Sequence, residues 1–568
     1  MTTPRAAYAL VLLFVPVLAF AATDAPVPLP PTTPPADAAP PGPPPDKTPR
    51  FFIREFRVDG AGKLLSEDDI ESAVYPYLGP YRTSADVESA RATLEQAYHA
   101  KGFQTVLVSI PAQHTGSGII HLQVSLGQIG RLTVSGSRFF SIDEIKREAP
   151  SLEEGNSPNF SQVTHDLVAL NQIPDRRITP TVKPGATPGT VDVDLNVKDT
   201  FPLHGSLELN NRYSANTPSL RLNGSIEYDN LWQLGHEISF SFQITPQDFF
   251  NNSTQTTSFF GVPITEPKTT RVFSGFYLAR IPDLDWITFM LQGTDQDSNV
   301  NTLGGIGVAG RGKIIGGRAI FTLPQLTNYY HSLSLGVDYK HFDQDIMIAG
   351  VPSSSPVTYF PFSAAYSGSW INRNSENKVL SETDLNASVN LSIRQWDSGE
   401  SEFEQDRFGA DGSFIYFRGD ISHLHELPLG FQIFAKIQGQ AADKPLVNSE
   451  QFSAGGLGTV RGYLESEELG DNGIIESLEL RTPSLGDFFG KAVDDWRFYI
   501  FGDAGLLTID DALPAQQEKY KLASVGAGTR LKLADHYNGS FDLGIPLDNG
   551  VNTQAYEPLM TFRVWAEF

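Results

Sequence analysis

One arginine in this sequence sits in surroundings that set it apart. Arg461 stands in Gly455-Gly456-Leu457-Gly458-Thr459-Val460-Arg461-Gly462-Tyr463, four glycines around a single cation, between two alternating segments, Phe431 to Gln440 and Ile474 to Leu480. Glycine at this density lets the backbone turn sharply or pack closely, so the stretch reads as a loop. A lone arginine in such a loop, flanked by membrane-type strands, is a candidate for an internal ion pair rather than for lipid contact. Further along, Phe501-Gly502-Asp503-Ala504-Gly505 offers an acid. On the residues alone, the two charges are either partners or unrelated.

Other chemistry finds less support. Gly307 to Lys313 has the spacing G-x-x-x-x-G-K of a phosphate-binding loop, but Ile314 stands where a Ser or Thr would hold magnesium, and the surroundings predict a strand. Gly60-Ala61-Gly62-Lys63 fails the same pattern and reads as a turn. His236 follows a glycine at a strand start and reads as structural. The eleven histidines show no H-E-x-x-H spacing, and with no cysteine there is no thiolate zinc set and no disulfide scaffold. The acidic run Glu465 to Asp471 offers carboxylates to a cation, although a solvated loop is the more ordinary reading. No nucleophile–base arrangement is supported. Catalytic, cofactor and metal residues are therefore all expected to be none, and the chain is not expected to be an enzyme. A net charge of −24 argues against a nucleic-acid partner, which needs basic patches.

The elements that must position Arg461 follow in chain order. Arg5, the apolar run Tyr8 to Phe20 and Ala19-Phe20-Ala21 read as a secretory signal cleaved after Ala21. No other apolar run approaches the length of a membrane-spanning helix, so the mature chain is either secreted or crosses a membrane as a β-barrel. Pro26 to Pro49 holds twelve prolines and predicts polyproline II or disorder. Phe52 to Val58 alternates as a strand. Ser66 caps a helix with Asp69 at the capping-box position, and Thr83 or Ser84 caps a second whose Val87, Ala90, Leu94, Ala97 and Tyr98 share a face. Gly102 ends it, and strands follow at Thr105 to Ile110 and Ile119 to Leu126. Arg131 to Lys198 repeats this β-α-α-β-β order, with Ser141 capping a helix, a second helix over Ser161 to Leu170, and strands at Ile178 to Val182 and Val191 to Val197.

From Leu203 the pattern changes. Leu220, Leu222, Gly224, Ile226 and Tyr228 alternate with Arg221, Asn223, Ser225, Glu227 and Asp229, and Ile238, Phe240, Phe242 and Ile244 alternate with Ser239, Ser241 and Gln243. Leu333 to Tyr339, Leu385 to Ile393 and Phe431 to Ile437 follow the same rule. Segments of this length, with one apolar and one polar face, predict transmembrane β-strands, roughly 16 of them. The chain ends on such a segment, with Phe562, Val564, Ala566 and Phe568 on one face and Arg563, Trp565 and Glu567 on the other. Closure removes the edges, the apolar face meets lipid, and the polar face lines a wet lumen.

In this order the sequence resembles the outer-membrane transporters of two-partner secretion, the TpsB or haemolysin secretion/activation type. Lys101-Gly102-Phe103 with Ile110-Pro111-Ala112-Gln113 looks like the end of the family's first POTRA (polypeptide-transport-associated) domain. Leu170-Asn171-Gln172-Ile173-Pro174 and Pro184-Gly185-Ala186-Thr187-Pro188-Gly189-Thr190 look like its second. Tyr228 to His236 matches the early barrel, Val460-Arg461-Gly462-Tyr463 the loop-six motif, Phe501-x-Asp503-x-Gly505 its partner motif on the wall, and the terminal Phe568 the barrel-assembly signal. The resemblance implies a signal peptide (1–21), a proline-rich linker (22–50), POTRA domains (51–127 and 128–200) and an outer-membrane barrel (201–568), with the POTRA domains in the periplasm. It implies a TpsA-type cargo, a large exoprotein with an N-terminal secretion domain, together with outer-membrane lipid and the barrel-assembly machinery as partners. The alternative within the same superfamily is an outer-membrane insertase, though such proteins usually carry more POTRA domains. Some members carry a plug helix ahead of the first POTRA; the proline-rich stretch cannot be that helix, so loop six is expected to do more of the occluding.

The resemblance also implies that Arg461 meets Asp503. An ion pair at about 4 Å in a partly solvated lumen is worth about 4 kcal/mol before desolvation, which offsets much of it. Such a pair is expected to fix where the loop sits rather than to add stability. Arginine suits the task because its planar fork holds a carboxylate bidentately.

Overall fold

The computed structural model describes residues 49–568 apart from 61–63, 216, 247–257, 260–261, 264–269, 282–283, 299–309, 349–350, 395–397 and 515. The expected signal peptide, nearly all of the proline-rich linker, Ala61 to Lys63 and the start of the Gly307–Lys313 stretch lie outside the described residues.

The first α/β unit forms where its caps direct. Ser66 accepts the Asp69 N–H at 3.1 Å and starts the helix Glu67–Val74. Thr83 and Asp86 close a capping box at the head of Ser84–Ala100, with the Thr83 N–H donating to Asp86 at 2.7 Å. That hydrogen bond, with the Thr83 hydroxyl, holds the Asp86 carboxyl below its ordinary range. Val87, Ala90, Leu94 and Tyr98 of the second helix are buried on one face against the sheet, as their spacing predicts. Strand Ile119–Ser125 lies centrally, parallel to Glu55–Asp59 and antiparallel to Leu107–Ser109. The expected β-α-α-β-β order lacked one feature: Phe51–Ile53 pairs with a short strand, Gly79–Arg82, between the helices. Three or four residues are too few to carry an alternation signal.

The second unit repeats the topology. Its last strand, Thr190–Asp199, is again central, parallel to Gln128–Ser135 and antiparallel to Arg176–Pro184. Ser141 caps Ile142–Arg147, and Asn159 caps Phe160–Leu170.

Leu203 opens a closed antiparallel barrel. Its strands are Leu203–Asn210, Arg221–Leu231, His236–Ile244, Arg271–Ile281, Leu284–Ser298, Gly310–Thr322, Tyr329–Ile348, a broken strand, Val379–Ser392, Phe414–Glu426, Gln432–Ala442, Asn472–Arg481, Val493–Thr508, Lys519–Leu533, Tyr537–Pro546 and Leu559–Glu567. The broken strand runs as Val351–Tyr359 and Phe362–Arg373, interrupted at Phe360-Pro361, and both halves pair with Tyr329–Ile348. The Pro361 carbonyl still accepts the Asp338 N–H at 3.1 Å across the break. Counting these halves as one gives sixteen strands, as the segments predicted. Lys313 lies inside the strand Gly310–Thr322, not in a phosphate loop. Leu207, Leu209, Ile226, Ile238, Phe240, Val564 and Phe568 are exposed on the outer face. No helix among the described residues is long and apolar enough to cross a membrane.

The first strand leaves the second α/β unit, so odd-numbered strands run outward, away from that unit. The turn between strands two and three docks that unit. Trp232 and Gln233 take positive φ (58° and 63°), which turns the Gln233 amide toward the unit. Its oxygen accepts the Ser141 N–H at 2.8 Å, its nitrogen donates to the Phe139 carbonyl at 3.2 Å, and Asn230 donates to the same carbonyl at 3.3 Å. Asp175 accepts from the Thr200 hydroxyl at 2.8 Å and pairs with His204 at 2.9 Å. His236 is structural, held by the Tyr277 hydroxyl at 2.5 Å and the Arg280 carbonyl at 2.9 Å.

Candidate functional site

The Arg461 loop joins strands eleven and twelve, which makes it the sixth outward loop, and it folds back into the lumen. Strand thirteen presents Phe501, Asp503 and Gly505 on alternate positions, hence all on the lumenal face. Each does one thing to the loop. The Phe501 ring lies 3.6 Å from the Arg461 guanidinium carbon. The Asp503 carboxylate accepts from Arg461 Nε at 2.8 Å, from Nη2 at 2.7 Å and from the Arg461 backbone N–H at 3.0 Å. Gly505 leaves room for Val460, whose methyl carbon would lie 3.2 Å from a Cβ built there.

The neighbouring strand completes the grip. Arg461 Nη1 donates to Glu479 at 2.6 Å and Nη2 to the Ser477 hydroxyl at 3.1 Å, and Ser477 in turn donates to Asp503 at 2.7 Å. Glu479 also takes Arg481 at 2.7 Å and Arg530 at 3.1 Å. Asp542 lies 3.8 Å from Arg461 and accepts from the Tyr499 hydroxyl at 2.7 Å. Asp503, Glu479 and Asp542 thus face Arg461, Arg481 and Arg530. The cluster is close to electroneutral, which is what buried charge requires. The side chains of Arg461, Glu479 and Asp503 are 6%, 3% and 0% exposed.

Apolar packing fixes the same loop. Val460 and Tyr463 are buried with Phe452, Ala454, Ile475, Leu507 and Leu522, a small hydrophobic core on the lumenal side of the wall. The Tyr463 hydroxyl lies 2.7 Å from the Asp548 carbonyl and 3.0 Å from that of Ala523. Gly462, at φ +89°, rests on strand fifteen; a Cβ on Gly544 would stand 2.5 Å from the Gly462 nitrogen. Under the loop tip a cavity of about 310 Å³ remains, lined by Arg461, Lys436, Glu479, Arg530, Arg563 and Trp565 among others.

Further out, the acidic run is not a solvated loop. Glu465, Glu467, Glu468 and Asp471 are buried. Asp471 holds Arg407 bidentately, at 2.8 Å on each oxygen. Arg212 grips Glu465 at 2.7 and 3.1 Å. Burial raises the Glu468 carboxyl to about 7, against the Val551 N–H that bonds it, with Glu467 pushing it further up. Beside this run, Glu450 accepts from Lys340 at 2.5 Å, Tyr359 at 2.6 Å and Tyr416 at 2.7 Å. Solvation was the expectation because acids in sequence carry no sign of their partners, which lie on distant loops.

The structure therefore gathers Val460, Arg461, Gly462, Tyr463, Phe501, Asp503 and Gly505 at one place. Phe568 lies elsewhere, exchanging hydrogen bonds of 3.0 Å with Gly205 where the barrel closes. Ser477, Glu479, Tyr499 and Asp542 were not singled out from sequence. The doublets Ile474-Ile475 and Leu506-Leu507 were a usable signal, since they break the alternation: Ile474 and Leu506 face outward while Ile475 and Leu507 are buried under the loop. No nucleophile–base geometry is present in this cluster. Among the described residues, Asp175, His204 and Asp229, and Glu227, Asp229 and Glu237, bring metal-type ligand atoms within 4.8 Å of one another at the joint with the second unit. Histidine spacing did not reveal these groups, because one holds a single histidine and the other none, and Asp175, His204, Asp229 and Glu237 come from separate segments of the chain.

Residues 51–127 match the POTRA domain, ShlB-type, and residues 359–531 match the haemolysin secretion/activation protein ShlB/FhaC/HecB. The outer membrane transporter CdiB of Dickeya dadantii is 21% identical over 468 residues, 79% of this chain and 77% of that one. The heme/hemopexin transporter protein HuxB of Haemophilus influenzae is 19% identical over 514 residues, 89% of this chain and 85% of that one. Among solved structures, CdiB from Escherichia coli superposes with a TM-score of 0.63 at 18% identity, over 92% of this chain and 91% of that one, a likeness of fold.

Proposed function

We propose that this chain, a member of the haemolysin secretion/activation family of outer-membrane transporters, captures a dedicated exoprotein in the periplasm and passes it, unfolded, through its barrel when loop six leaves the lumen. The observation that carries this reading is a closed barrel whose lumen holds a latched loop, while its periplasmic mouth carries two α/β units with open sheet edges. Leu107–Ser109 and Arg176–Pro184 each pair on one side only, and Leu107 and Val182 are exposed. An extended polypeptide adding to such an edge gains main-chain hydrogen bonds whatever its side chains, which suits an unfolded cargo. We place the signal peptide at 1–21, the linker at 22–50, the periplasmic domains at 51–127 and 128–200, and the barrel at 201–568. Arg461 with Asp503 is the latch, Val460, Gly462, Tyr463, Phe501 and Gly505 shape its seat, and Phe568 marks the strand for assembly. With no nucleotide site expected, folding of the cargo outside the cell is the natural source of direction.

The test is a quantitative protein inventory of the medium, cell surface and outer membrane, with and without this chain. Loss of one large exoprotein, its precursor degraded or held in the periplasm, is expected and names the cargo. A general fall in barrel proteins refutes export and makes the chain an insertase.

A further inference from the structure

Beyond Tyr463, loop six runs toward the line where the barrel closes. That seam, between the first and last strands, is the shortest ladder nearby. Arg563 to Glu567 pair with Asn210 to Ser206, five residues in register, whereas the flanking pairs each register eight. Inside the lumen Arg563 crosses it to Glu208 at 2.6 and 3.1 Å. Asn211 finishes its outer end: its amide donates to the Met560 carbonyl at 2.7 Å and accepts the Phe562 N–H at 2.7 Å. Past Asn211 the two chains part into the first and eighth outward loops.

Loop six bridges them there. On the first-strand side, the Glu465 carboxylate takes Arg212, and the Glu465 N–H donates to the Tyr213 carbonyl at 3.0 Å. On the last-strand side, Glu467 accepts the N–H groups of Asn552 at 2.6 Å and Thr553 at 2.7 Å, and the Thr553 hydroxyl at 3.0 Å. Glu468 accepts the Val551 N–H at 3.1 Å. Gly550 admits this approach, since a Cβ there would stand 2.5 Å from the Glu467 carboxylate. Two acids with one residue between them thus hold opposite sides of the seam, and both are buried.

We propose that Glu465 to Glu468 form a strap across the barrel seam, so that withdrawing loop six to open the pore also loosens the closure between the first and last strands. Glu465 and Glu467 are positioning residues for a pore that widens as it unlatches. The strap rests on loop six being the segment that withdraws, but its test reads barrel closure without cargo, so the strap and the export role fail separately.

The full chain has no cysteine, so Leu209→Cys with Val564→Cys, partners in the seam register and both exposed on the outer face, supplies the sole thiol pair. The readout is the temperature at which the folded band is lost on cold SDS electrophoresis, reduced and oxidised. Glu465→Gln with Glu467→Gln is expected to lower it by on the order of 5–10 °C in the reduced form, and the seam disulfide is expected to restore it. Asp471→Asn, which weakens the hold on loop five away from the seam, is expected to lose stability that the disulfide does not restore. Melting of the double variant with the parent, a loss the disulfide leaves uncorrected, or equal rescue of Asp471→Asn overturns the strap. If the double variant does not assemble, Arg212→Gln, which removes the partner on the first-strand side, takes its place with the same outcomes.

Discussion

Removing Arg461 is the sharpest perturbation of the latch. Arg461→Ala deletes the three side-chain bonds from Arg461 that reach Asp503 and Glu479, at 2.6 to 2.8 Å, and leaves two carboxylates with almost no water contact. Taking one partner from a buried pair costs about 3–5 kcal/mol. Here that cost falls first on the docked loop, because the strand ladders do not involve Arg461, and reaches the barrel only through the strap at the seam. The loop-docking equilibrium should therefore shift by roughly two to four orders of magnitude toward the undocked state. Arg461→Lys keeps the charge but not the fork, so it should lose one charged hydrogen bond or more, about 1.5–3 kcal/mol each, and fall between parent and alanine. Conductance of the purified chain in planar bilayers reads the plug, and cold SDS electrophoresis reads the barrel. The expected result is a folded band that still forms and migrates at the parental position but is lost at a lower temperature as the seam loosens, long-lived openings that rise from parent through lysine to alanine, and reduced export. Parental conductance and export from a folded Arg461→Ala chain would refute the latch. Asp503→Ala adds a cycle: if the acid and the arginine act as one unit, the double variant should be far less impaired than the sum of the singles.

Three further outcomes follow from the same geometry. Gly544→Val places a side chain where the loop-six backbone lies, 2.5 Å from the Gly462 nitrogen to the first added carbon alone; it should displace the loop and raise conductance with every charge of the latch intact. Glu468 carries a carboxyl raised by burial to about 7, so its contribution to docking is present below the ordinary glutamate range and is lost as pH rises through about 7. Openings should therefore be more frequent at pH 8 than at pH 5, and Glu468→Gln should flatten that dependence; an unchanged slope in the variant assigns the effect elsewhere. Gln233→Ala removes the amide that meets Ser141 and Phe139, and should increase protease cleavage at the joint near Thr200 while leaving the heat-resistance of the barrel unaltered.

Much of this protein was legible as local pattern. Alternation says which face a side chain takes, and that depends only on the period of a strand, so Leu220 to Tyr228 and Phe562 to Phe568 read as two-faced strands, and their length and number, roughly 16, pointed to a barrel. Ser66, Ser141 and Asp69 marked helix starts because capping is settled within a few residues. Arg461 stood out because glycine surrounds it, and Asp503 because a familiar motif holds it. What alternation does not say is which strand lies next to which, and in what register. Ser477 comes opposite Asp503, and Glu479 opposite Phe501, through a ladder between strands twelve and thirteen, and that offset turned two ordinary polar residues into half of the latch. The acidic run shows the same limit more strongly: its charges suggested water, while its partners, Arg212, Arg407 and the backbone of Asn552 and Thr553, come from three other loops that only closure of the barrel brings together. The sequence by itself determined faces, caps and the membrane-crossing class, because these are set by near neighbours along the chain. The tertiary structure alone decided which charges are buried in pairs, because burial depends on neighbours that the chain reaches only after the first strand meets the last.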